Sequence, residues 1–86
     1  MRTIHVIRLQ AGQDLKLSIG QFVKEHAIRS GWVVTCGGSV TQYHLRFANQ
    51  REEQTGEGFF EIINLSGTLS LDGCHLHITL GDGQEF

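Results

Sequence analysis

From Gly31 onward the chain carries three runs in which apolar and polar residues alternate one for one, and no proline interrupts them. Thr41, Tyr43, Leu45 and Phe47 alternate with Gln42, His44 and Arg46. Ile63, Leu65, Leu69 and Leu71 alternate with Asn64, Ser66, Thr68 and Ser70 across Gly67, and Cys74, Leu76, Ile78 and Leu80 alternate with His75, His77 and Thr79. A period of two places successive side chains on opposite faces of a strand. Alternation of this kind belongs to antiparallel sheets with one buried and one wetter face. Without proline, the turns fall to Gly, Asn and Asp, and the chain has 11 glycines. Asp72-Gly73 supplies the hairpin turn between the last two runs. Trp32 to Cys36 reads as a further strand, followed by a bulge or bend at Gly37-Gly38-Ser39.

The first thirty residues read differently. Thr3 to Leu9 is β-branched and predicts a strand, broken by Gly12. Asp14 is placed to cap a helix. Leu15, Ile19, Phe22, Val23 and His26 then fall on one helical face, so His26 reads as a packed histidine, and Gly31 offers a stop. The polar stretch from Asn49 to Gly58 reads as a solvated loop between strands. The fold class is therefore α+β, an antiparallel β-sheet with one main helix packed on it.

Eighty-six residues allow a single small domain, residues 1–86, with a modest core. Seven Lys and Arg against nine Asp and Glu give a net charge of −2, which excludes a domain that grips DNA by bulk positive charge. No run approaches the length of a membrane-spanning helix, and the first residues lack the apolar core of a secretory signal. Cys36 and Cys74 form no spacing motif, so a reduced, cytoplasmic setting is expected. Gly81-Asp82-Gly83-Gln84 is a second hairpin signal with almost nothing after it. It predicts either that the natural chain continues past Phe86 or that another subunit supplies the strand paired with Cys74–Leu80, and truncation is the expectation.

His75-Leu76-His77 is the sharpest chemical feature. Residues i and i+2 of a strand share a face with Cα atoms about 6.5–7 Å apart, so two imidazoles can converge on one metal ion. Zinc needs one or two further ligands, for which His44, His5 and Asp72 are the candidates within the chain. The same pair also suits a polar sheet face that holds no metal. Arg8 and Arg46 are candidates for contact with an anionic ligand. Gly37-Gly38-Ser39 lacks the lysine and following helix of a phosphate loop, and Cys74 shares the parity of the apolar Leu76 and Ile78, as a structural thiol would. Trp32 is a candidate core or subunit-interface anchor. Ser39 and Ser66 lie in no nucleophile pattern.

Taken in order, the segments resemble the PPC domain, the domain conserved in plants and prokaryotes. The matching stretches are Arg8-Leu9, Gly12-Gln13-Asp14-Leu15, Glu25 to Gly31, Gly38-Ser39-Val40, Leu45-Arg46-Phe47, Phe60 to Ser70 and Asp72 to His77. The family commonly continues with a Gly-Gly-His segment and further strands, which this sequence does not contain. The resemblance implies an α+β fold assembled as a homotrimer. It also implies that His75 and His77 hold a metal ion, zinc by expectation, with a third histidine that would lie beyond Phe86. Plant relatives carry an Arg-Gly-Arg-Pro arm for A·T-rich DNA, and no such arm is present here. The expected role is thus a trimeric oligomerisation and interaction domain, associated with transcription at most by label, with protein partners and doubtful DNA contact. The alternative is a zinc-dependent small-molecule-binding protein or hydrolase built on the His-x-His pair.

Overall fold

The computed structural model describes residues 3–46 and 51–82. Its elements are a helix α1 (Leu15–Glu25) and four strands, β1 (Gly31–Trp32), β2 (Ser39–Leu45), β3 (Gln54–Ser70) and β4 (Gly73–Asp82). All pairings are antiparallel and all are made to β3. One edge of β3 carries β4, and the other carries β1 and β2 end to end. This is the α+β arrangement expected from the alternating runs.

The helix begins where the sequence places its cap. Asp14 is extended, and its Oδ1 accepts a hydrogen bond from the Leu17 amide at 2.9 Å. The buried members of its apolar face are Ile19 and Val23, with Leu15 packed beside them. The helix ends at Glu25, well before Gly31, because the chain closes a C-terminal cap without glycine. The Ile28 amide donates to the Val23 carbonyl at 3.0 Å and the Ala27 amide to the Lys24 carbonyl at 3.2 Å. That double bond pattern requires a left-handed residue, and here it is Ala27, at φ 49°. His26 does not close the apolar face. It is exposed at the C-cap, its Nδ1 lying 3.1 Å from the Phe22 carbonyl oxygen.

Ile19, Val23 and Leu65 form the buried core, where α1 lies over the sheet. Leu69, Cys74, Leu76 and Ile78 surround it, half-buried. The parity of the last run is as expected, with Cys74, Leu76, Ile78 and Leu80 turned inward and His75, His77 and Thr79 exposed. Beyond Leu65 the β3 parity changes. A register shift between Ile62 and Asn64 gives Ile62 the inward position and leaves Ile63, expected inward, 53% exposed. The hairpin turn is Leu71-Asp72, one residue earlier than expected, with Gly73 already paired to Ser70.

Several local expectations are corrected. Thr3–Leu9 forms no strand, since it pairs with none of the described strands, and Ile4 and Val6 are exposed. Gly37-Gly38-Ser39 makes no register bulge. Gly31↔Leu69 and Ser39↔Glu61 share one register, and the Val33 amide still reaches the Gly67 carbonyl at 3.1 Å. The irregularity lies instead between Val40 and Gln42. Gln54–Gly58, expected in a loop, belongs to β3, because backbone pairing with Gln42–Leu45 needs no apolar side chain. Phe47, Asn49, Gln50 and the Gly83-Gln84 part of the second hairpin signal lie outside the described residues.

Gly67 lies opposite Leu76 on β4, and on its other edge its carbonyl accepts from the amide of Val33, just past β1. Its φ is +150°, and a Cβ there would collide with the His75 carbonyl. Two stability changes of opposite sign follow. Gly67→Ala is expected to cost about 2 kcal/mol or more through that backbone clash. Ala27→Gly is expected to stabilise by about 0.5–1 kcal/mol by relieving the left-handed alanine. Urea midpoints at fixed protein concentration check both.

Candidate functional site

The sheet has a helix-covered face and an open face, and the open face carries the candidate residues. His75 pairs with Thr68 and His77 with Ser66, so both imidazoles rise from β4 on the side away from α1. As i and i+2 of one strand their Cα atoms are about 6.5–7 Å apart. Across β3 from His75 lies Trp32, which pairs with the same Thr68. Trp32 is 61% exposed and Val34, two residues on, is 76% exposed. Trp32 is therefore not a core anchor. An apolar pair, a row of hydroxyls and a histidine pair lie side by side on a surface that no described element covers.

The topology separates the other candidates from this pair. His44 pairs with Thr55, thirteen residues along β3 from Thr68, which is on the order of 40 Å at about 3.3 Å per residue. Its Nδ1 lies 3.6 Å from Glu53 Oε2, both side chains being exposed. His5 lies at the helix instead. Its ring meets Phe22 edge-on at 5.3 Å and His26 at 5.2 Å, and Phe22 and His26 stack at 3.9 Å. Asp72 is in the hairpin turn, where its amide donates to Ser70 Oγ. Among the described residues no three His, Cys, Asp or Glu side chains converge as a metal site would require. The pair alone offers two donors, and zinc takes three or four protein ligands, so the described residues do not make a complete zinc site.

Arg8 and Arg46 are not brought together as an anion site. Arg8 lies before α1, in a shallow open groove of about 230 Å³ that it shares with Ser18 and Glu25. Arg46 follows β2 at the far end of the sheet, next to the Leu45↔Gln54 pair. A carboxylate in the groove of Arg8 weakens its claim on an anion. Cys36 and Cys74 are free, half-buried thiols packed against the core cluster, the setting expected of a structural Cys74. No helix of the described residues is long and apolar enough to cross a membrane.

The stacked Phe22 and His26, with His5 beside them, had no signal in the sequence beyond the helical spacing of the first two. It requires the path of the segment before the helix, which periodicity does not reveal.

Comparison with known proteins agrees with this architecture. The chain is similar to two proteins named "Bifunctional protein GlmU" from Synechococcus strains. Identity is 38% over 81 residues for strain JA-3-3Ab and 37% over 81 residues for strain JA-2-3B'a(2-13). In each case the match covers 94% of this chain and 13% of the relative, so the chain spans only a small part of the curated proteins it matches. A solved hypothetical protein from Salmonella cholerae-suis superposes with a TM-score of 0.88 at 38% identity, over 91% of this chain and 56% of that one. The model of the Plants and Prokaryotes Conserved (PCC) domain matches residues 1–86. The chain belongs to the PCC domain family.

Proposed function

We propose that this PCC domain is an assembly module that associates with copies of itself, as a homotrimer, through the open face of its sheet and presents the assembly to protein partners. The observation that carries this reading is an excess of surface. A compact monomer of this mass exposes roughly 5,100 Å². The chain exposes 7583 Å², and among the described residues three hydrophobic side chains are buried. The difference, roughly 2,500 Å², is of the size that permanent subunit interfaces bury. Trp32 and Val34 give the open face an apolar centre, and tryptophan in such a setting is a common interface anchor. The threefold number rests on the family resemblance. That the similar region forms 13% of a bifunctional protein supports a unit that can be joined to others.

DNA is not the direct partner in this reading. The net charge is −2, and Arg8, before α1, and Arg46, after β2, stand apart rather than on one basic surface. A second reading rests on the exposed histidine pair, as half of a zinc site in a small-molecule-binding protein or hydrolase. Two donors support no catalytic step by themselves, and no step is assigned.

Sedimentation velocity in EDTA tests the assembly. Wild type should sediment as a species of three 9.6 kDa chains, and Trp32→Asp, which places a charge at the interface, should shift it to single chains with an unchanged circular dichroism spectrum. A wild type that stays monomeric at 100 μM, or a Trp32→Asp variant that stays trimeric, overturns the proposed surface.

A further inference from the structure

We propose that His5 and His26, gathered on Phe22 at the end of α1, form a two-imidazole site for a divalent copper ion. The site lies on the helix, away from the open face of the sheet, and is independent of both readings given above.

The geometry of the three rings carries the inference. His26 stacks on Phe22 with centroids 3.9 Å apart and planes at 22°. His5 meets Phe22 edge-on at 5.3 Å and His26 at 5.2 Å. A metal bound to an imidazole nitrogen at 2.0–2.1 Å stands about 3.2 Å from the ring centre. Two imidazoles on one ion therefore have centroids about 4.5 Å apart at a right angle between bonds and about 5.2 Å apart at a tetrahedral angle. The rings of His5 and His26 already have the separation of two ligands of a single ion. Phe22, half-buried, holds one ring by its face and the other by its edge, so little side-chain freedom is left to lose on binding.

The backbone settles which nitrogen of His26 is the donor to a metal. Its Nδ1 lies 3.1 Å from the carbonyl oxygen of Phe22. A carbonyl only accepts, so Nδ1 carries the proton and Nε2 carries the lone pair. An N–H directed at a backbone carbonyl is the outer contact that fixes the ring of a metal-binding histidine and raises its basicity. Both imidazoles are exposed, so an ion reaches them from solvent without any opening of the fold.

The donor set selects the ion. Among the described residues no third His, Cys, Asp or Glu joins the two rings. Zinc takes three or four protein ligands, whereas copper(II) accepts a tetragonal set of nitrogen and oxygen donors in which water completes two imidazoles. Affinity for a given nitrogen site also peaks at copper along the first-row divalent series. An ion shared by His5 and His26 closes a loop that contains the whole of α1 and ties Thr3–Leu9 to the end of the helix. Because this arrangement belongs to the folded chain, copper stabilises the fold as its concentration rises.

Copper(II) titration of the intact chain near neutral pH tests this, with His75→Asn and His77→Asn introduced together so that the open-face pair takes no part. One ion should bind per chain and give an electron paramagnetic resonance spectrum of two coordinated imidazoles. The ring protons of Phe22 should broaden before saturation, and the urea midpoint should rise. His5→Asn and His26→Asn should each weaken binding by about tenfold or more and remove the rise in midpoint. Both positions are exposed, and an unchanged circular dichroism spectrum checks the fold. Copper binding that survives either substitution, a spectrum of one imidazole, or no binding at about 100 μM copper would each overturn the proposal.

Discussion

Every strand pairing of the described sheet is a pairing with β3, and the rest of the molecule depends on that single strand. It runs for 17 residues, pairing with β2 and β1 on one edge between Gln54 and Glu61 and at Thr68 and Leu69, and with β4 on the other from Phe60 to Ser70. The helix packs on this strand and on its neighbour β4. Its buried residues, Ile19 and Val23, meet Leu65 near the middle of β3. Gly67, two residues on, lets the backbone of β4 approach closely at His75, whose side chain the alternation of β4 turns to the opposite face. Stability and the candidate site thus share one segment of chain.

That construction leaves a sheet with very unequal faces. Burying an aliphatic side chain fully contributes about 1.5–3 kcal/mol, and three hydrophobic side chains are buried among the described residues. Much apolar surface stays in contact with solvent, including Trp32, Val34, Ile63 and Phe59. A fold of this size gains only modest stability from such a core. The open face around Trp32 and Val34 is the surface through which the proposed assembly would form.

Much of this was legible in the sequence, and the exceptions have physical causes. Alternation from Cys74 to Leu80 located the histidines on the exposed face, because parity is a local property of a strand. The same rule failed at Ile63, where the shift at Ile62/Asn64 inverts parity and leaves no mark in residue type. Thr3–Leu9 has strand composition but no strand to pair with among the described residues, and composition cannot supply a neighbour. Gln54–Gly58 looked like a loop because its side chains are polar, yet a ladder is held by backbone groups. Alternation set the face of His44 but not its position along the sheet, so its distance from His75 emerged only from the register of β2 and β4 on β3. The family resemblance rested on ordered short motifs, and the fold it implied is the one observed. The trimer and the metal that it also implied concern contacts beyond a single chain.

The central claim is that the fold owes much of its stability to surfaces covered by other copies. Equilibrium urea unfolding over a hundredfold range of protein concentration, in EDTA, tests it most directly. If association holds the exposed sheet face, the midpoint rises steadily with concentration, because only the folded state is drawn into the assembly. A midpoint independent of concentration would show that the single chain is stable by itself and would contradict the account.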